Sequence, residues 1–378
     1  MRIEQRQWMR ARGWRIRSTS DDMAPAHLVL FFAASEVMRD GQAIEELRAL
    51  YPGAHVLGCS TAGEICDTEV TDGTVVATAI HFDHSRVHAL YGRISDASHS
   101  SCEGRRLAEQ MPREGLVHVM VLAEGLNVNG SELAAGLRAG LPPTVAVTGG
   151  LAGDGADFKQ TSVSLDGESK DGGIALVGFY GDRLRVGYGS LGGWDSFGPE
   201  RMVTRSQGNI LYELDGSSAL DLYKEYLGDH AAELPASGLL FPLSLRGEGT
   251  DPGLVRTILG INEETRSLVF AGDVPEGQYA RLMKANVDRL IDGAQGAAGA
   301  SYEALGSGQP ELAILISCVG RKLVLKQRVE EEPESVREVL GDCVLSGFYS
   351  YGEIAPFANS VKCELHNQTM TITTLSER

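Results

Sequence analysis

Val344-Leu345-Ser346-Gly347-Phe348-Tyr349-Ser350-Tyr351-Gly352-Glu353-Ile354 is an apolar run that turns through a Gly-acid pair into a second apolar run, and the chain follows the same plan twice before it. Val56-Leu57-Gly58-Cys59-Ser60-Thr61-Ala62-Gly63-Glu64-Ile65 ends alike, as does Val145-Ala146-Val147-Thr148-Gly149-Gly150-Leu151-Ala152-Gly153-Asp154. An apolar strand and an amphipathic helix precede each. They are His27 to Phe32 with Ile44, Leu47 and Leu50; Leu116 to Ala123 with Leu133, Leu137 and Leu141; and Leu312 to Cys318 with Val336, Val339 and Leu340. Such self-similarity marks a repeated structural unit. It predicts equivalent positions for the three Gly-acid turns, with the first and third units related by pseudo-symmetry.

Alternating strands and helices indicate an α/β fold, with α+β as the alternative. The first two units close on extra strands, Val75 to Ile80 and Ile174 to Phe179, that need no helical crossover. Mixed sheets with flanking helices follow, in two related domains of strand-helix-strand units. Residues 1–26 form an N-terminal extension, 27–215 a first domain and 216–378 a second. The division falls where the strand-rich stretch Leu184 to Leu214 passes through Asp215-Gly216 into the helical run Ser218 to Leu227. A further helix is expected from Gln278 to Ala298. Val75 to Phe82 and Val87 to Tyr91, joined by Asp83-His84-Ser85-Arg86, read as a hairpin that sets His81 opposite His88.

A chain of 378 residues, 43% hydrophobic, buries large cores. Its formal net charge of −17 disfavours nucleic acid and anionic membranes as partners. The first 17 residues hold six arginines but no continuous apolar core, so they resemble neither a secretory signal nor a membrane anchor. Cys59, Cys66, Cys102, Cys318, Cys343 and Cys363 form no CxxC pair, which fits reduced thiols and a cytoplasmic location.

Gly58-Cys59-Ser60-Thr61-Ala62-Gly63-Glu64-Ile65 resembles the N-terminal half of the FIST family of intracellular signal-transduction domains. Gly272-Asp273-Val274-Pro275-Glu276-Gly277, Cys318-Val319-Gly320-Arg321, Gly347 to Pro356 and His366-Asn367-Gln368-Thr369-Met370-Thr371 resemble its C-terminal half, in order. The resemblance implies a sensor of small ligands such as amino acids, acting on a separate signalling protein, since no output module is seen in the chain. Stand-alone bacterial members of similar build include haem-binding nitric-oxide sensors that regulate a histidine kinase. Haem is therefore the implied cofactor, with an amino-acid sensor lacking haem as the alternative.

The third unit carries the candidate ligand-binding residues. Phe348, Tyr349, Tyr351 and Phe357 offer aromatic faces and two phenols, against the plainer reading of core packing. Cys318 and Arg321 follow a strand at the sheet edge where α/β proteins gather ligands, and Arg321 suits a carboxylate. Glu353 and Asn367 complete the set. His366 is the candidate metal ligand, with Cys318, Tyr349 and Tyr351 also of haem-ligating type. The expectation is that the Tyr349, Tyr351 and Glu353 turn meets Cys318 and Arg321 around one cavity, so that replacing Arg321 weakens ligand retention without unfolding the protein. The trio His81, His84 and His88 has no completing cysteine or carboxylate at zinc spacing and reads as a solvated hairpin tip. Thr148 to Gly155 lacks both the following helix of a dinucleotide fingerprint and the Lys-Ser/Thr of a P-loop, so its glycines are ascribed to tight turns. A hydrolase using Ser60, Cys59 or Cys318, with His366 as base, is the less favoured alternative, because no nucleophile elbow surrounds them. Binding without catalysis is expected.

Overall fold

The computed structural model describes residues 1–246, 253–306, 308–357 and 361–378. The N-terminal extension is ordered. It forms a hairpin, Arg2–Met9 (β1) and Gly13–Thr19 (β2), at the edge of the first unit. That unit continues with Leu28–Ala34 (β3), helices Ser35–Asp40 (α1) and Gln42–Leu50 (α2), His55–Thr61 (β4), the short strands Glu64–Cys66 (β5) and Glu69–Thr71 (β6), and Thr74–His81 (β7). The second contains Arg86–Arg93 (β8), Ser100–Gln110 (α3), Leu116–Ala123 (β9), Gly130–Gly140 (α4), Ala146–Leu151 (β10), Val163–Leu165 (β11), Glu168–Ser169 (β12) and Gly173–Tyr180 (β13). Leu184–Leu191 (β14) opens the third. A fourth sheet of eight strands between Asp195 and Lys284 (β15 to β22), with helix Ala219–Leu227 (α5), interrupts it. It resumes with Val287–Leu305 (α6), Leu312–Cys318 (β23), Val319–Leu325 (α7), Glu331–Leu340 (α8), Val344–Ser350 (β24), Gly352–Pro356 (β25), Cys363–His366 (β26) and Met370–Glu377 (β27).

In every unit a central strand (β3, β9, β23) lies parallel to the strand after its helix (β4, β10, β24) and antiparallel to the closing strand (β7, β13, β27). The mixed sheets expected from the closing strands are thus present. The hairpin after each turn leaves its own unit: β5 pairs with β24, β25 with β10, and β11 with β4. This cyclic exchange relates three units, not two, and it crosses residue 215.

Both faces of the central strands are buried, which is why they read as unbroken apolar runs. Leu28, Leu30 and Phe32, Met120 and Leu122, and Leu312, Ile314 and Ile316 point inward into one shared core, where Phe32 stacks on Phe348 at 4.7 Å. Alternate residues point outward to the helices: Val29 and Phe31 to Ile44 and Leu47, Val119 and Val121 to Leu133 and Leu137, Ala313 and Leu315 to Ala297 and Val336. Gly58, Gly149 and Gly347 lie opposite Phe31, Val121 and Leu315 in register, and a Cβ at any of them would collide with the facing main-chain carbonyl. Gly149 is therefore required by close approach inside a strand, not by a turn as the sequence suggested.

Two further expectations are corrected. β7 and β8 belong to different sheets, with residues 82–85 passing between them, so His81 and His88 do not face each other. His81 stacks on His27 at 4.5 Å, and His88 is paired with Gly178. Tyr279–Lys284 is a strand, with Ala280 and Leu282 turned into the core of the fourth sheet. The helix begins only after Asn286, whose side chain caps it by accepting from the Arg289 N–H.

Candidate ligand site

The three turns converge at the C-terminal ends of the parallel strands, and a ring of equivalent backbone hydrogen bonds ties them. Ala62 N–H donates to Tyr349 O at 2.8 Å, Gly153 N–H to Ser60 O at 2.9 Å, and Tyr351 N–H to Leu151 O at 3.2 Å. Gly153 thus occupies the place of Ala62 and Tyr351. The second Gly-acid pair is one residue out of register with the others.

Glu64 and Glu353 sit in equivalent cradles, one in the first unit and one in the third. Glu353 accepts from Ser350 Oγ at 2.6 Å, Thr369 N–H at 3.2 Å and Thr369 Oγ1 at 2.9 Å. Glu64 accepts from Thr61 Oγ1, Thr74 N–H at 3.0 Å and Thr74 Oγ1 at 2.7 Å. Burial pushes both carboxyls up, to about 8 for Glu353 and about 7 for Glu64, against the pull of these donors. Each carboxyl is buried and closes its own unit.

Asp154, displaced from that cradle, organises a loop instead. It accepts from the N–H groups of Phe158, Lys159 and Gln160 at 3.0, 2.8 and 2.7 Å and from the Tyr351 hydroxyl. Burial raises its carboxyl, but those four donors outweigh it and hold the group below its ordinary value. Phe158 is thereby placed face to face with Tyr351, ring centroids 4.4 Å apart at 14°.

This stacked pair forms one wall of a cleft of about 240 Å³ between the three-unit body and the fourth sheet. Leu126, Asn129 and Leu151 continue the wall; Asn209, Leu259, Phe270 and Asp273 face them. Asn129 caps α4 through its Oδ1 and donates from Nδ2 to Asp273 Oδ1 at 3.3 Å. The other carboxylate oxygen of Asp273 has no partner among the described residues. Behind it Arg256, whose guanidinium is lowered to about 10 by burial, donates to Asp273 O at 3.0 Å and Leu365 O at 2.9 Å. It fixes the Gly272-Asp273 corner to β26. A polar basin of about 510 Å³, with Arg39, Glu124 and Lys159 in its lining, lies along the same Asp154 loop.

Of the residues singled out in the sequence, Tyr351 lines this cleft. Arg321 is fully buried and donates to Glu332 at 2.7 Å, Leu290 O at 2.6 Å, Gln368 O at 3.3 Å and Gly192 O. Tyr349 donates to the same Glu332 at 2.9 Å. Burial pushes the Cys59 and Cys318 thiols well up, so thiolate is disfavoured at both. His366 Nε2 meets Ala355 O at 3.0 Å, and burial lowers the ring to about 4. Asn367 is buried with neither amide atom partnered. Arg321 and Tyr349 therefore join one buried network while Tyr351 turns away from it into the cleft. As haem ligands these side chains fit poorly. The phenols of Tyr349 and Tyr351 are held to carboxylates and pushed up, burial disfavours the thiolate of Cys318, and His366 Nε2 is engaged by the Ala355 carbonyl. Among the described residues no three His, Cys, Asp or Glu side chains gather at metal-binding distance.

Sequence reasoning missed Asp154, Phe158, Asn129 and Asp273. Asp273 stood in the Gly272-Asp273 motif; Phe158 gave no signal, since its place depends on Asp154 and a tyrosine 193 residues away.

The chain is thus built from three strand-exchanged units and an inserted sheet, with the cleft between them. The chain belongs to the FIST family: the FIST N domain matches residues 27–217 and the FIST C domain residues 219–356, and this family is associated with signal-transduction sensing. It is 26% identical over 167 residues to the uncharacterized protein MJ1623 of Methanocaldococcus jannaschii, a match that covers 39% of this chain and 31% of that protein. A crystal structure of cyanuric acid hydrolase from A. caulinodans is similar at 9% identity and a TM-score of 0.36, covering 94% of this chain and 92% of that one. Among the described residues no helix is long and apolar enough to cross a membrane.

Proposed function

We propose that the chain senses a small amine-bearing molecule with a planar or apolar body, an aromatic amino acid being the type, bound in the cleft between Phe158 and Asp273. The observation that carries this reading is a half-satisfied carboxylate sharing a 240 Å³ cleft with a stacked aromatic pair. The Asp273 oxygen takes the ammonium, and the Phe158 and Tyr351 faces supply apolar contact and attract the cation. Ligand bound there touches the body and the fourth sheet together, so occupancy biases their relative position. A separate signalling protein, in the first instance a histidine kinase, reads that change.

Calorimetry against a panel of amino acids tests the reading. An aromatic member should bind, and Asp273→Asn should weaken it about tenfold or more, the worth of one charge-assisted hydrogen bond. A panel without a binder, or an unchanged affinity in Asp273→Asn, sinks it. The haem and nitric-oxide version draws on the family resemblance alone. Haem titration decides it, because a Soret band that shifts with nitric oxide would replace the amino-acid reading.

A further inference from the structure

Across Phe158 and Leu259 from the cleft lies a second cavity, of about 540 Å³, and its lining is apolar. Leu239 and Leu240 of the turn Ala236–Leu240 form one side, Ile258 and Leu259 another, and Leu323 and Val324 of α7 the third. Three side chains that a soluble protein normally covers, Phe158, Leu259 and Leu323, are 37 to 44% exposed and line this one bay. Such a concentration marks a surface that something covers.

The backbone supplies a second, independent observation. Left-handed residues other than glycine include Asp67, Asp166, Asp215 and Arg266, each in a hairpin connection. Phe158 at φ 52°, Lys326 at φ 53° and Gln368 at φ 61° are not in hairpins; the first two border this bay from the body loop and from the end of α7, and Gln368 donates from its side chain to the Leu239 carbonyl beside it. Strained backbone of this kind persists where the surrounding structure holds a residue for contact with a ligand. Lys326 is exposed, and no carboxylate pairs with it among the described residues. In a chain of net charge −17, an unpaired cation at the lip of an apolar bay selects an anion over a cation.

We infer that this bay binds a small apolar monocarboxylate, an aliphatic or aromatic acid whose body lies on Leu239, Leu259 and Leu323 and whose carboxylate meets Lys326. The site is distinct from the amine site in the cleft. The two share Phe158, so occupancy of one alters the other.

The test uses three probes with one tail, decanoate, decylamine and decanol, titrated calorimetrically into the full chain. Trp194, which packs against the cluster of Leu290, Val324 and Leu325 behind the bay, gives a parallel fluorescence signal. Decanoate should bind more tightly than either analogue. Lys326→Glu, a change at an exposed side chain, should weaken decanoate about tenfold and leave decanol unaffected. Leu323→Gln should weaken all three, with far-UV circular dichroism and the melting temperature showing that it folds. Decylamine binding as tightly as decanoate, or decanoate affinity unchanged in Lys326→Glu, overturns the assignment, as does an absence of binding by all three. Asp273→Asn should leave decanoate affinity intact, which separates failure here from failure of the amine site.

Discussion

At the scale of single residues, the buried charges divide by whether they have partners of opposite sign. Glu353 and Glu64 have hydrogen bonds but, among the described residues, no ion pair, and burial raises their folded values to about 8 and about 7 against an ordinary 4.5. A raised folded value means the native state keeps protons that the unfolded chain releases. Their contribution is fully present below pH 4.5 and is lost as pH rises to about 8. Stability should therefore fall across that window, with a slope of at most about 1.4 kcal/mol per pH unit for each group. Urea titrations at several pH values check this; in Glu353→Gln the slope should be shallower, and an equal slope would refute the assignment. Arg321 is the opposite case, an ion pair with Glu332 in which neither side chain is exposed. Arg321→Ala leaves a buried carboxylate with a lost partner, at a cost of about 3–5 kcal/mol. Arg321→Met combined with Glu332→Leu should recover much of that loss, as denaturation midpoints of the two variants would show. The expectation from sequence, that an arginine at a strand end is held for a ligand, overlooked Glu332, which α8 brings in only in three dimensions.

At the scale of elements, the loop from Asp154 to Thr161 shows how one shift in register makes a site. In the first and third units the turn acid enters the cradle at the start of the closing strand. In the second, Gly153 stands one place early, no cradle forms, and Asp154 is free to collect the N–H groups of its own loop. Asp154→Ala removes four hydrogen bonds to a charged acceptor while leaving β10 and β11 intact. We expect amide exchange at Phe158, Lys159 and Gln160 to speed up about 30-fold, equivalent to about 2 kcal/mol of lost local stability. Exchange measured by mass spectrometry should show that change confined to the loop, with ligand affinity in the cleft falling in parallel. The third unit has its own departure: Gln368, at φ 61°, stands where the first two have Gly73 and Gly172 at 75° and 67°. Strands, helices and the Gly-acid turns were legible because apolar periodicity and glycine are local signals. The register slip at Gly153 was not, since a turn of the same composition reads alike in either register. The strand Tyr279–Lys284 reads as helix in the sequence because its apolar residues continue in phase into α6, and only pairing with neighbouring strands decides between the two.

At the scale of the whole molecule, the exchange of hairpins makes the units interdependent, a property that repetition in the sequence does not reveal. The repeat was visible; that each β-hairpin completes a neighbour's sheet was not, because strand pairing between distant segments has no local signature. The division at residue 215 thus separates two matched domains in sequence without separating two sets of strands. β14 has β27 as its partner in the sheet, β5 pairs with β24, and β25 covers the edge of β10. Cut at 215, the first fragment would expose those edges together with the inner faces of β3 and β9, which pack against Leu312, Ile314, Ile316 and Phe348. Exposed apolar edges of this kind drive association with other chains. The full chain should therefore unfold in one transition by both circular dichroism and tryptophan fluorescence, despite its size. Fragment 1–215 alone should be aggregated or lack a cooperative melt, and refolding it together with 216–378 should restore a soluble complex. A fragment 1–215 that melts cooperatively as a monomer would show that the exchanged strands are dispensable, and the three units would then have to be regarded as separately stable domains.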